Sequence, residues 1–245
     1  MPERGWALVT GAAQRIGRVL ALTAARAGFD VVVHHHTSGA AETVREIEAL
    51  GRRARAVGAD LADAAAFRAL AGGGELRLLV NCASLFEDDR IATLTPQGWD
   101  AAMAANLRAP VLLAQAFAAA LPAGAEGLIV NIIDQRVLRP TPQFFSYAVS
   151  KAGLWAATRM LAQGLAPRIR VNAIAPGPTL PSIHQSPEEF EAERAGVLLG
   201  HGASPEEIGE TLAYLIDARS VTGQMIAVDG GQHLGWRTPD ITAPD

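Results

Sequence analysis

The sequence predicts a single α/β domain built on a doubly wound parallel sheet with helices on both faces. Three observations carry this reading. Short, nearly continuous apolar runs alternate with stretches of helical periodicity, a glycine turn separates the first run from its helix, and no Pro/Gly/Ser-rich linker divides the 245 residues, 49% of them apolar. Continuous apolar strands belong to parallel sheets covered on both faces, whereas half-exposed strands alternate. One core can hold a chain of this length.

The elements follow in order. Trp6-Ala7-Leu8-Val9 is the first apolar run; it breaks at Thr10-Gly11 and leads to Ile16, Val19, Leu20 and Thr23 at helical spacing. Val31-Val32-Val33 is the second, and Ala40 to Leu50 repeats the helical pattern. Further runs lie at Ala54 to Val57, Leu76 to Val80, Leu128 to Ile133, Ile169 to Ile174 and Met225 to Val228, with helical stretches between them. The least regular region, Pro176 to Ser204, holds four prolines and an acidic patch from Glu188 to Glu193. It is expected to form a mobile segment over a site, the substrate loop being about residues 178–204 of one domain spanning 1–245.

Bulk properties exclude several function classes. A net charge of −4 and a pI near 5.9 provide no basic field for nucleic acid. No apolar run approaches the roughly 18 residues of a membrane span, and Met1-Pro2-Glu3-Arg4 leads into a strand without a signal-peptide pattern. A soluble, cytoplasmic protein is expected. The single cysteine, Cys82, lies in an apolar run and reads as a small buried residue.

One stretch asks for a chemical explanation. Lys151 is the only lysine, against twenty arginines, and Tyr147, one of two tyrosines, precedes it by four residues. On a helix the two side chains share a face, and a neighbouring ammonium favours phenolate over phenol. Other candidates stand where a doubly wound sheet binds its ligands, just after the carboxyl ends of the strands. After the first run comes Thr10-Gly11-Ala12-Ala13-Gln14-Arg15-Ile16-Gly17, a turn whose helix can hold a pyrophosphate on its first amides, although its two glycines also fit a packing role. The second run ends in His34-His35-His36-Thr37-Ser38, with no carboxylate to bind ribose hydroxyls, which points to NADPH. Adjacent histidines on a strand face opposite ways, so no metal site is expected. Asp60, followed by Leu61, either reaches an adenine edge or caps a helix beginning at Asp63. Asn81-Cys82-Ala83-Ser84 supplies small residues for close approach to a ligand, and Phe86 is free to stack on a flat one. Asn106 interrupts an alanine-rich helical stretch, where asparagine is a poor helix former. Asp134 follows the fifth run and Pro176-Gly177-Pro178-Thr179 the sixth.

In this order, Thr10-Gly11 with Gly17, Asn81-x-Ala83, Asn106, Tyr147-x-x-x-Lys151 and Pro176-Gly177 make the chain resemble the short-chain dehydrogenase/reductase superfamily over nearly its full length. The resemblance implies a Rossmann-type sheet of seven strands, a nicotinamide cofactor and a homotetramer. It also implies a proton relay in which Tyr147 is the acid, Lys151 lowers its pKa and holds the nicotinamide ribose, and Asn106 positions a water beside Lys151. Arg15 replaces the usual central glycine of the turn and Asp134 the usual serine. Both departures resemble the pteridine reductase branch, which includes the bacterial dihydromonapterin reductases, as do His34, His36, Ser84, Phe86 and the ending Asp229-Gly230-Gly231-Gln232-His233-Leu234. By that resemblance Arg15 and Ser38 bind cofactor phosphates, Phe86 sandwiches a pterin against the nicotinamide, with Arg15 and Ser84 also lining the substrate, and Asp134 with Tyr147 delivers protons. Thr37 stands where some members carry an arginine for the 2′-phosphate. Gly11, Ile16, Gly17, Asp60, Leu61, Asn81, Ala83, Pro176, Gly177 and Thr179 complete the expected cofactor site.

The expected activity is therefore NADPH-dependent reduction of a dihydropterin, extending to dihydrofolate. A carboxyl can pair with the donors of an aminopyrimidine ring or pass a proton to a ring nitrogen, which a serine cannot. The alternatives are a short-chain carbonyl reductase or alcohol dehydrogenase, with Asp134 as polar lining, and a cofactor-binding regulator without turnover.

Overall fold

A computed structural model describes residues 4–63 and 75–236. Seven parallel strands form one sheet in the order β3-β2-β1-β4-β5-β6-β7: β1 Trp6–Val9, β2 Asp30–His35, β3 Ala54–Gly58, β4 Leu76–Asn81, β5 Gly127–Ile132, β6 Ile169–Pro176 and β7 Met225–Val228. Each of the seven apolar runs is a strand, and the order reverses between β1 and β4. The described helices are α1 Arg15–Arg26, α2 Ala41–Ala49, α3 Pro96–Ala120, α4 Phe145–Leu165, α5 Pro187–Ala195 and α6 Pro205–Asp217. The helix expected from Asp63 onward falls on 64–74, outside the described residues.

Strand side chains alternate between two apolar layers, as a pleated sheet requires. On one face Ala7, Val9, Val31, Val33, Leu78 and Val80 pack against Leu20 and Ala24 of α1 and Leu212 of α6. On the other, Leu8, Val32, Leu79, Ile129 and Val171 pack against Leu113 and Phe117 of α3 and Ala162 of α4. Helices thus cover both faces, which explains why the strands read as unbroken apolar runs.

Two expectations change. By length and composition α3 is apolar enough to cross a bilayer, contrary to the reading that no such run exists. Here its apolar side chains serve the fold, since Leu113, Ala114 and Phe117 are buried in the second layer. The irregular region also contains a helix, α5. Its start is written as Ser186-Pro187-Glu188-Glu189: the Ser186 hydroxyl accepts from the Glu189 N–H while the Glu189 carboxylate accepts from the Ser186 N–H. Ser204-Pro205-Glu206-Glu207 opens α6 in the same way.

Arginines close the far ends of the elements. Arg170 of β6 sends its guanidinium to the carbonyls of Leu215, Ile216, Ala218 and Val221, capping the C-terminus of α6. Asp30 opens β2 and pairs with Arg52 and Arg53.

Candidate active site

A cavity of about 930 Å³ lies along the carboxyl edge of the sheet, around the point where strand order reverses. Its first wall is the glycine turn. Gly11 has φ +66°, and a Cβ there would stand 2.9 Å from the Ala83 backbone; a Cβ on Gly17 would stand 2.0 Å from the Gly11 carbonyl. These glycines let the turn lie against β4 and α1 start close behind it. Gln14 precedes α1 in extended conformation and makes no side-chain cap, and the first turn holds no acid. The first-turn amides are therefore left for an anion. Arg15 itself has φ +53°, the left-handed region where glycine is usual. Its guanidinium donates to the carbonyl of Pro181 at 2.9 Å and is 3.5 Å from that of Leu180, so it ties the glycine turn to the start of the substrate loop.

The run at the end of β2 divides by burial. His36 and Thr37 are exposed and Ser38 is partly exposed, all three lining the cavity. His34 lines it too, but both its ring nitrogens are engaged: Nδ1 accepts from the Gly11 N–H at 3.1 Å and Nε2 lies 3.1 Å from the Ala59 carbonyl. Burial pushes its pKa below the usual histidine value, in keeping with a neutral ring that accepts at Nδ1. Instead of meeting a phosphate directly, His34 fixes the turn that would.

Four predicted residues do not line the cavity. Asn81 donates to the Asn131 carboxamide, which donates in turn to Thr158, forming a buried polar chain from β4 across β5 to α4. Asp60 accepts from the Ala62 N–H within the local turn, and Leu61 belongs to the second apolar layer. Asn106 sits in a π-helical turn of α3, Ala104–Arg108, and is fully buried. Its Oδ1 accepts from Leu85 N–H and Ser84 Oγ, while Nδ2 donates to the Leu85 carbonyl and Ser150 Oγ. The carboxamide is thus saturated and clamps the loop after β4 to α4.

The reactive groups converge from β5 and α4. Asp134 follows β5, and its Oδ2 accepts from the Tyr147 hydroxyl at 2.8 Å. Lys151, buried one turn further along α4, donates from Nζ to the Ile132 carbonyl at 2.8 Å and lies 5.5 Å from the centre of the Tyr147 ring. Burial pushes the ammonium down to about 8. The phenol moves well above its usual value, through burial and then the adjoining Asp134 carboxylate. Tyr147 therefore stays protonated near neutrality, with a proton to give; in the protein alone, Lys151 does not make it a phenolate. Cys82 is partly exposed as a residue, but burial pushes its thiol up to about 11, which leaves it unreactive.

Phe86 has the partner that its sequence surroundings did not reveal. It stacks on Phe144 with ring centres 4.3 Å apart and meets Tyr147 edge-on at 4.6 Å. Phe144 precedes α4 with φ +54°, and Asp89 takes over as helix cap: its carboxylate accepts from Ser146 N–H and its carbonyl from Phe145 N–H. His184 approaches from the substrate loop, with Nε2 3.2 Å from the Phe86 carbonyl. Sequence reasoning missed Phe144, His184 and Arg136. Arg136 at least carried a signal, as a basic side chain two residues beyond the carboxylate at a strand end.

Pro176, Gly177 and Thr179 form the last wall, with the Thr179 hydroxyl donating to the Gly177 carbonyl. The bare glycine cradle and the uncapped helix start suit a dinucleotide, with Lys151 at the inner end of the cavity and Ser38 and His36 at the other. A nicotinamide cofactor bound there supplies a hydride.

Comparisons with known proteins agree with this geometry. The family model described as enoyl-(acyl carrier protein) reductase matches residues 11–233. Bovine L-xylulose reductase is 34% identical over 235 residues, covering 92% of this chain and 95% of that protein. The 3-oxoacyl-[acyl-carrier-protein] reductase FabG of Staphylococcus aureus is 32% identical, covering 93% and 98%. Among solved structures, FolM alternative dihydrofolate reductase 1 from Brucella canis, complexed with NADP, is 48% identical with a TM-score of 0.91 and covers 97% of each chain. The angucycline C-6 ketoreductase LanV with bound NADP is 33% identical, covers 94% of this chain and 96% of that one, and has a TM-score of 0.87. The chain belongs to the short-chain dehydrogenase/reductase superfamily and is an NADP-dependent oxidoreductase.

Proposed function

We propose that the protein reduces dihydropterins, and dihydrofolate as a larger member of that class, at the expense of NADPH. The observation that carries this reading is the 2.8 Å hydrogen bond from the Tyr147 hydroxyl to Asp134, in a cavity walled by stacked Phe86 and Phe144. A flat ring finds an aromatic wall there. Asp134 accepts from donors on an aminopyrimidine, and Tyr147 gives its proton to the ring nitrogen whose neighbouring carbon takes the hydride. Ser84 and Arg15 line the same cavity, Ser84 as a hydroxyl and Arg15 as a donor at the loop side. The likeness to a FolM alternative dihydrofolate reductase supports the reading.

NADPH oxidation with dihydromonapterin, dihydrobiopterin and dihydrofolate, set beside a panel of ketones, tests it. Turnover of ketones alone would reject it. Asp134→Ser is the sharper probe, since it should abolish pterin turnover and spare carbonyl reduction.

A second reading, reduction of a carbonyl, is favoured by the relatives named as ketoacyl and ketoreductases. There Tyr147 would protonate the alkoxide oxygen and Asp134 would only line the pocket. With either activity we place the protein in the cytoplasm as a homotetramer, and a monomeric sedimentation profile would refute that assembly.

A further inference from the structure

Arg136 belongs to none of the motifs that identify the chain, yet it touches the reacting pair. It lies on the short turn Gln135–Val137 that follows Asp134. Its backbone N–H donates to Asp134 Oδ1 at 2.8 Å, and its Nη1 lies 3.2 Å from Oδ2 and 3.5 Å from Oδ1. The guanidinium lies over the Phe144 ring, 5.4 Å from its centre. The side chain is 19% exposed, and its Nε is buried without a hydrogen-bond partner. Leaving a guanidinium donor buried and unmet is costly, and an arginine on a surface turn could reach water instead. Asp134 does not need this guanidinium to be hydrogen-bonded, because the Arg136 N–H and the Tyr147 hydroxyl already reach its two oxygens.

We propose that Arg136 is a positioning residue for proton transfer: it holds Asp134 against Tyr147 and balances the negative charge left on the pair when the proton departs. The proposal rests on reading Tyr147 as the proton donor. The charge count shows the need. Before transfer, the Tyr147–Asp134 pair carries one negative charge. The Tyr147 O–H bond then breaks, a bond from that proton to the substrate forms, and the pair carries two. Lys151, Cys82 and Arg136 face the pair, while Asp88, Arg90 and His184 line the same cavity further off. Cys82 remains a neutral thiol, and Lys151, pushed down to about 8, loses its charge as the solution turns alkaline. Arg136 keeps its charge throughout. It is also the group that draws the Tyr147 pKa downward, against burial and Asp134.

The test is kcat against pH for the NADPH-saturated enzyme with dihydrobiopterin, comparing wild type, Arg136→Met and Arg136→Lys. Met keeps the length and removes the charge. It should lower kcat about tenfold and move the alkaline limb upward by about one pH unit. Lys should restore most of both, and NADPH affinity by fluorescence titration should not change. An alkaline limb that stays in place in Arg136→Met, or a Lys variant no better than Met, overturns the proposal. If the wild type reduces only ketones, the pterin reading fails, and the same limb measured with the ketone still decides the role of Arg136. A wild type that reduces nothing removes the proton donor and the proposal with it.

Discussion

Replacing Lys151 by Met should make the enzyme inactive and, near neutral pH, relieve a strain in the unliganded fold. The ammonium is buried on α4 and titrates at about 8, against an ordinary 10.5. A tenfold change in proton affinity corresponds to about 1.4 kcal/mol, so charging this group costs the folded protein about 3 kcal/mol relative to the unfolded chain. The sign follows from proton counting. Between the folded and unfolded pKa values the unfolded chain binds more protons, so stability rises with pH across that window. From about pH 7 to about pH 9.5 wild-type stability should gain about 2 kcal/mol that Lys151→Met does not gain. Stopping there avoids the tyrosine, whose raised pKa matters only once the unfolded phenol begins to ionise. At neutral pH the variant also loses the bond to the Ile132 carbonyl, about 1 kcal/mol or more, which offsets part of the relief. The pH dependence isolates the ionisation from that loss. Urea denaturation followed by circular dichroism, without cofactor, measures it at each pH. Wild-type and Lys151→Met stabilities that run parallel across the window would refute the reasoning.

Further consequences can be measured as simply. Tyr147→Phe should retain NADPH binding by fluorescence and lose about 10²–10⁴ in kcat, the usual worth of a positioned acid. Gly17→Ala should abolish tight cofactor binding in a calorimetric titration, because its Cβ would lie 2.0 Å from the Gly11 carbonyl and push the glycine turn from its place. Arg170→Met should destabilise by about 2 kcal/mol, lowering Tm by roughly 6 °C in a thermal melt, since the Leu215 and Ile216 carbonyls at the end of α6 lose their donor while those of Ala218 and Val221 keep the Val221 N–H and Asn172.

Much of the fold was legible because burial on both faces writes each strand as an apolar run, so Trp6–Val9 through Met225–Val228 could be placed without tertiary knowledge. The helix α5 was legible too, in Ser186-Pro187-Glu188-Glu189, but the prolines around it suggested a structureless loop. Asn81 and Asn106 show the opposite case. Their positions were read correctly as special, whereas the direction of their side chains, into the sheet and into the loop after β4, depends on partners 50 and 21 or more residues away.

The sequence alone determined that a parallel sheet presents Gly11, Asp134, Tyr147 and Lys151 at one edge, because periodicity and strand-end position are local properties of the chain. Only the tertiary structure decided how those groups act on each other. Phe144 closing on Phe86, Arg136 beside Asp134, Asn106 saturated by the loop and Lys151 stripped of water depend on distances and burial across elements, and those quantities set pKa and hydrogen-bond direction.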